Sequence, residues 1–178
     1  MSDVISRLFE AAKPVSIAEG ENLFHVGDPV ERVHFVSTGC LGLRRVTETG
    51  TEMIMQAARA GQVLAEASVY SDAYHCDGVA LEPSTCRALP RADFLALLGK
   101  DAEVQQAWAR QLARGIQSAR TRAEIRGLKT VAQRLDMWLS LNGPLPEKGG
   151  RSNLAAELGV SREALYREIA RRDRQVRR

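Results

Sequence analysis

At 178 residues, 44% of them hydrophobic, the chain has room for one medium domain and a small one, and it can bury a core. No apolar run approaches the roughly 18–20 residues that span a bilayer, and the opening stretch from Met1 to Glu10 lacks a basic segment followed by an apolar one, so a cytoplasmic protein with no membrane partner is expected. The net charge of +3 conceals a division: residues 1–109 carry 9 basic and 15 acidic side chains and residues 110–178 carry 16 and 7, the footprint of an acidic domain joined to a polyanion-binding segment.

An amphipathic helix opens the chain, with Val4, Ile5, Leu8 and Phe9 at helical spacing, and ends before Pro14. From about Ser16 to Pro90 short apolar stretches alternate with turn signals at Gly20, Gly27-Asp28-Pro29, Gly39, Thr49-Gly50, Gly61 and Pro83-Ser84. Residues 33–36, 41–46, 52–55 and 86–89 read as strands, and turn spacings of about 8–12 residues predict an antiparallel roll or barrel. The turn Glu82-Pro83-Ser84 predicts a hairpin with Cys86 near the turn and Cys76 well down the other strand, on the order of 15 Å apart and out of disulfide reach.

Residues 101–126 contain no proline and one glycine, Gly115. Val104, Trp108, Leu112, Gly115 or Ile116, Ala119 and Ala123 trace one narrow stripe flanked by Arg110, Arg114, Arg120 and Arg122. Such a stripe on a long helix predicts pairing with the same helix of a second copy. After a joint at Gly127, residues 131–141 form a second amphipathic helix, and residues 142–150 are a loop rich in glycine and proline. Leu154, Ala155 and Leu158 then mark a short helix, Gly159 a sharp turn, Ser161 the cap of a following helix over 161–172, and Leu165 and Ile169 its buried face.

With Leu165 and Ile169 inward, Arg162, Glu163, Tyr166 and Arg167 face out near the start of that helix, where base edges are met. Arginine can bind guanine O6 and N7 together, glutamate can accept from the cytosine amino group, and Ser161 at the helix N-terminus can hold phosphate. A surface ion pair between Glu163 and Arg167, four residues apart, is the plainer alternative.

At these residues the chain resembles the Crp/Fnr family of transcription regulators. The family's recognition helix carries Ser-Arg-Glu-x-x-x-Arg, matched by Ser161, Arg162, Glu163 and Arg167. Its roll opens much as residues 20–28 do, continues through Phe35-Val36 and Gly39, and reaches a nucleotide-phosphate cassette similar to residues 61–67. The long helix and the joint before Val131-Ala-Gln-Arg134-Leu also match in order. The resemblance implies an α+β chain with three parts. An antiparallel, jelly-roll-like β-roll senses an effector over 1–100, a dimerising helix covers 101–127, and a helix-turn-helix domain for duplex DNA covers 128–178. It further implies a homodimer on a palindromic operator with TGTGA-like half-sites, no enzymatic activity, and RNA polymerase as a partner open to such a regulator. The effector positions it implies are Leu64, Ala65, Glu66, Ala67, Cys76, Ala119 and Arg120.

Several of these positions depart from the family pattern. Cys76 stands ten residues after Glu66, where the family places the arginine that binds a cyclic phosphate, and a thiol offers neither fixed charge nor a two-pronged donor. Ala65 replaces a cassette glycine, and Ala119 and Arg120 replace hydroxyls expected to meet the base. An effector other than cyclic AMP is therefore expected, its identity open, as are any cofactor and metal.

The cysteines Cys40, Cys76 and Cys86 include no C-x-x-C pair, so reduced thiols are the expectation. Cys76, with Cys40 as a distant partner, could form a thiol switch; alternatively Cys76 and Cys86 are small core fillers. His25, His34 and His75 read as surface or turn residues, in separate segments without the paired spacing a metal-dependent roll enzyme needs. The family's β-hairpin wing is expected to be absent or reduced to the basic tail 171–178. That departure leaves a ligand- or redox-sensing dimeric module without DNA binding as the alternative function.

Overall fold

The computed structural model describes residues 3–48, 50 and 52–176. Thr49 of the expected turn at Thr49-Gly50 lies outside them, as do Arg177 and Arg178 of the expected basic tail. Two compact units emerge, Met1–Arg44 with Met55–Gln117, and Arg45–Ile54 with Ser118–Arg178.

The first unit is built on helix α1 (Asp3–Leu8) and eight strands: β1 (Val15–Ile17), β2 (Asn22–Phe24), β3 (Arg32–Thr38), β4 (Cys40–Val46), β5 (Glu52–Arg59), β6 (Val63–Leu64), β7 (Asp77–Ala80) and β8 (Ser84–Pro90). The tip of the β4–β5 hairpin belongs to the second unit. The strands form two four-stranded sheets, ordered β1-β8-β3-β6 and β2-β7-β4-β5. This is the antiparallel, jelly-roll-like roll that the sequence predicts.

Strand β3 shows why the roll closes. Its Val33 and Phe35 join Ile5, Phe9, Phe94 and Trp108 in a core beneath the helices. Its Val36, on the other face, joins Ile17, Phe24, Leu41, Tyr74 and Cys86 between the sheets. A strand buried on both faces is apolar on both, and each large side chain so buried stabilises the fold by about 1.5–3 kcal/mol. Helix α2 (Arg91–Lys100), which no sequence signal above marks, supplies Phe94 and Leu98 to the first of these cores.

Three expectations are corrected here. The turn at residues 82–84 does not make a β7–β8 hairpin: β7 pairs with β2 and β4, whereas β8 pairs with β1 and β3 in the other sheet. The chain arches between sheets because the Ser84 hydroxyl accepts the Cys40 N–H (3.0 Å) and donates to the Glu82 carbonyl (2.7 Å), meeting backbone polarity that a hairpin ladder would otherwise meet. His34 is neither a surface nor a turn residue. It lies within β3, largely buried, with its ring 5.6 Å from that of Phe24.

The third correction concerns helix α3 (Ala102–Gly127). The stripe along it is not all available to a second copy, because Val104, Ala107 and Trp108 are buried in the chain's own core with Leu112 packed against them. The Trp108 indole donates to the Tyr70 hydroxyl at 2.8 Å. Only the later part, Ile116 (54% exposed), Ala119 and Ala123, faces outward.

The second unit takes the end of α3, then α4 (Val131–Asn142), a short 3-10 turn (Lys148–Gly150), α5 (Arg151–Leu158) and α6 (Arg162–Val176). Thr130 and Gln133 satisfy each other's backbone N–H groups in a capping box that fixes the start of α4. Ile125, Leu135, Leu154, Leu158, Leu165 and Ile169 form its core.

Candidate nucleic-acid interface and effector cassette

The turn between α5 and α6 is set by Gly159, which is left-handed (φ 65°) and needs no Cβ there. Val160 N–H returns to the Ala155 carbonyl at 3.0 Å. Ser161 caps α6, its hydroxyl accepting the Ala164 N–H at 3.2 Å. With Leu165 and Ile169 in the core, Arg162, Glu163, Tyr166 and Arg167 all stand exposed on one side of the first turns of α6. The Arg167 Nε donates, at a long 3.4 Å, to the Glu163 carbonyl rather than to its carboxylate. Glu163 is held below the usual carboxylate range by its own backbone N–H and the Ser161 hydroxyl, with Arg162 and Arg167 adding to the effect. It is therefore an ionised acceptor at neutral pH.

Residues that sequence reasoning leaves unassigned hold this surface in place. The carbonyls at the C-terminus of α5 are met by two arginines. Arg126 donates to Glu157 (3.0 Å) and Ala156 (3.3 Å), and Arg134 donates to Leu158 (3.1 Å) and Gly159 (3.2 Å). Cations are favoured at a helix C-terminus, where the backbone dipole is negative. No local pattern announces such pairings, since the partners lie 24–31 residues apart.

Arg171 and Arg172 are not part of a basic tail either. They lie inside α6, where both bind the nearly buried Glu168, and Arg172 also reaches Asp136 (2.7 Å) and the Ala132 carbonyl (3.0 Å) on α4. Chiefly through the Arg171 hydrogen bond, the Glu168 carboxyl is pulled down to about 2 from an ordinary 4.5. A depressed carboxylate contributes stability that is fully present above the unfolded value and is lost as pH falls through the folded one. Glu168→Gln should thus cost about 2 kcal/mol at pH 7, allowing for solvent screening at the half-exposed Arg171. In urea titrations the gap to the parent protein should narrow from about pH 4.5 toward pH 2; a gap independent of pH would contradict it.

The cassette sits in the first unit. Leu64 and Ala65 are buried in the core between the sheets, Glu66 is half-buried and Ala67 exposed. Ala65 is left-handed (φ 56°), alone among the described non-glycine residues, a conformation that glycine adopts more freely than alanine. The Gln56 amide holds the cassette from both sides: its oxygen accepts the Ala65 N–H (2.9 Å) and its nitrogen donates to the Glu66 carboxylate. A Cβ at Gly115 of α3 would meet that carboxylate, so the Glu66 side chain would have to move to admit any larger residue there. Cys76 is buried just before β7. Ala119 and Arg120 are exposed positions of α3 that belong to the second unit.

All three cysteines are buried thiols outside any disulfide, and burial pushes the Cys86 thiol pKa up. The Cys40 carbonyl accepts the Leu81 N–H, and Asp77 pairs with Arg44 along β4–β7, so Cys40 and Cys76 lie five residues apart on the ladder. That is on the order of 15 Å, too far for a direct disulfide between them. Among the described residues no group of three or more His, Cys, Asp and Glu could hold a metal ion, and no helix is long and apolar enough to cross a membrane.

Residues 14–101 match the cyclic nucleotide-binding domain. The chain is 25% identical over 138 residues to Electron transport regulator A of Shewanella oneidensis, covering 78% of this chain but only 54% of that regulator's length. It is 23% identical over 180 residues to the Fumarate and nitrate reduction regulatory protein of Vibrio cholerae, covering 95% and 71% of the two. A transcriptional regulator of the CRP family from Thermus thermophilus shares the fold, with a TM-score of 0.74, 15% identity, and coverage of 90% of this chain and 85% of that one. The roll is therefore a cyclic nucleotide-binding domain, followed by a long helix and a helical unit. The relatives and the structural neighbour that the chain resembles are transcription regulators of the Crp/Fnr type.

Proposed function

We propose that this chain is a homodimeric, sequence-specific DNA-binding transcription regulator controlled by an effector other than cyclic AMP. The observation that carries the reading is the exposed set Arg162, Glu163, Tyr166 and Arg167 on a helix whose opposite face is packed and whose N-terminus is capped by Ser161. Two arginines and an ionised glutamate suit guanine and cytosine edges in the major groove, and the Ser161 end suits a phosphate. A rigid capped helix fixes these groups relative to one another as a tail does not, and base reading requires that. The division of labour among a sensing part over 1–100, a dimerising helix over 101–127 and a DNA-reading part over 128–178 belongs to the same proposal. A gel-shift titration with duplex DNA at several salt concentrations tests it: binding should weaken steeply with salt yet retain sequence preference. Salt-sensitive binding without preference, or none, would favour a sensing module that does not read DNA.

Dimerisation rests on the outward part of α3. Ile116, Ala119 and Ala123 are proposed to pair with the same residues of a second copy, small residues letting the helices approach. Sedimentation should show two copies at micromolar concentration, and Ile116→Glu should give monomers. A parent protein that sediments as a monomer would contradict the pairing.

Cyclic AMP is proposed not to bind tightly, for two reasons in the cassette. Cys76 offers no charge to a cyclic phosphate, and the Glu66 carboxylate that would meet a ribose hydroxyl is already held by Gln56. Losing a charged phosphate contact should cost several kcal/mol, on the order of a thousandfold in affinity. Calorimetry should show no binding below about 1 mM; micromolar affinity would show that another cation has taken over the role.

A further inference from the structure

Within the first unit, the face of β1, β3 and β8 that carries His34 bounds a cavity of about 680 Å³, in the range of small-molecule sites. Ile17, Cys86 and Ala88 give it apolar walls, and none of the cassette residues 64–67 or Cys76 lines it. His34 reaches it from β3, and its Nδ1 is buried with no hydrogen-bond partner. Burial, with Arg32 nearby, lowers the imidazole pKa to about 4, so the ring is neutral and adds no charge to the cavity. Lys13 and Arg32, both exposed, also line the cavity. Among the described residues neither is paired with an acid, since Arg32 donates to the Ala88 carbonyl and Glu21, the acid present, is turned back onto the Ala18 N–H.

We propose that this cavity is a second ligand site, separate from the cassette, and that it takes a small apolar monocarboxylate. The hydrocarbon or aromatic body lies against Ile17, Cys86 and Ala88, with the neutral His34 ring beside it, and the carboxylate faces Lys13 and Arg32. The apolar walls at Ile17, Cys86 and Ala88 favour a ligand with a hydrocarbon or aromatic body over one that is polar throughout. Two unpaired cations against one occupied acid select an anion over an amine of the same shape. The site stands whether or not α6 reads DNA.

Titration calorimetry on the full chain with octanoate, and with octylamine as the same body carrying the opposite charge, tests this. Octanoate should bind saturably and at least tenfold more tightly than octylamine, and it should shift the His34 ring resonances in an NMR titration. Ala88→Phe, which fills the cavity, should abolish the binding. If that variant does not fold, Lys13→Glu, a surface substitution, decides the matter by weakening octanoate tenfold or more. Absence of saturation by millimolar octanoate, equal affinity for octylamine, or binding indifferent to Lys13→Glu would overturn the proposal.

Discussion

Gly39→Ala is expected to destabilise the roll by about 2–5 kcal/mol, whereas Gly20→Ala should cost only about 1–2 kcal/mol. Both glycines are left-handed, with φ of 80° and 82°, so an L side chain is strained at either position. The difference lies in what a Cβ would meet. At Gly20 nothing stands within 4 Å, while at Gly39 the new carbon would lie 2.6 Å from the Pro83 carbonyl oxygen and 2.8 Å from the Ser84 Cα. Those are backbone atoms of the arch that carries the chain between the sheets, and they cannot turn aside as a side chain can. Relieving the contact means shifting residues 83–84, whose hydroxyl and carbonyl contacts hold Cys40 at the start of β4. Against the 5–15 kcal/mol typical of a whole domain, the larger loss would bring the roll near unfolding. Urea denaturation of the two variants separates them; equal losses would mean that the arch is not fixed as the structure has it.

Arg167→Ala is expected to weaken operator binding by about 1–3 kcal/mol per half-site and to relax base preference at one position in each. Arg167 is exposed, and its one described hydrogen bond is the long contact to the Glu163 carbonyl, so thermal stability should stay within about 0.5 kcal/mol of the parent. That separation matters because the neighbouring arginines behave otherwise. Arg172→Ala would remove the contacts to Asp136 and the Ala132 carbonyl that tie α6 to α4, and would weaken DNA binding by loosening the reading helix. A specificity change from Arg167→Ala at unchanged stability identifies a reading residue; an equal loss for every DNA sequence would make it a phosphate contact.

The helical half of the molecule is legible in the sequence because its signals are local. Gly159, Ser161, Leu165 and Ile169 lie within eleven residues, and each fixes its own piece of the turn through backbone conformation, capping or burial. The roll is legible as a texture of short strands, but not in its pairing. Pro83-Ser84 has the composition of a hairpin turn, and only the long-range partnership of Ser84 with Cys40 makes it an arch between sheets. His34 reads as a surface residue because a lone histidine carries no sign of which strand face it occupies. The periodicity of the α3 stripe is real, yet it is the same for a face buried on the chain's own roll and one left for a partner. In the cassette, Glu66 and Cys76 are visible by spacing, but the Gln56 amide that holds Glu66 comes from β5, ten residues upstream, with no motif to mark it. The arginines at 171 and 172 read as solvated positive charge, and their engagement by Glu168 and Asp136 depends on the packing of α6 on α4.

Selection of bound sequences from a pool of random duplexes tests most directly whether α6 reads DNA. The parent protein should enrich two inverted half-sites about one helical turn apart, each with guanine and cytosine at the positions facing Arg162, Glu163 and Arg167, and Arg167→Ala should lose preference at one of them. Enriched sites without inverted symmetry, or an Arg167→Ala protein that selects the same sequence as the parent, would show that this helix is not the reader.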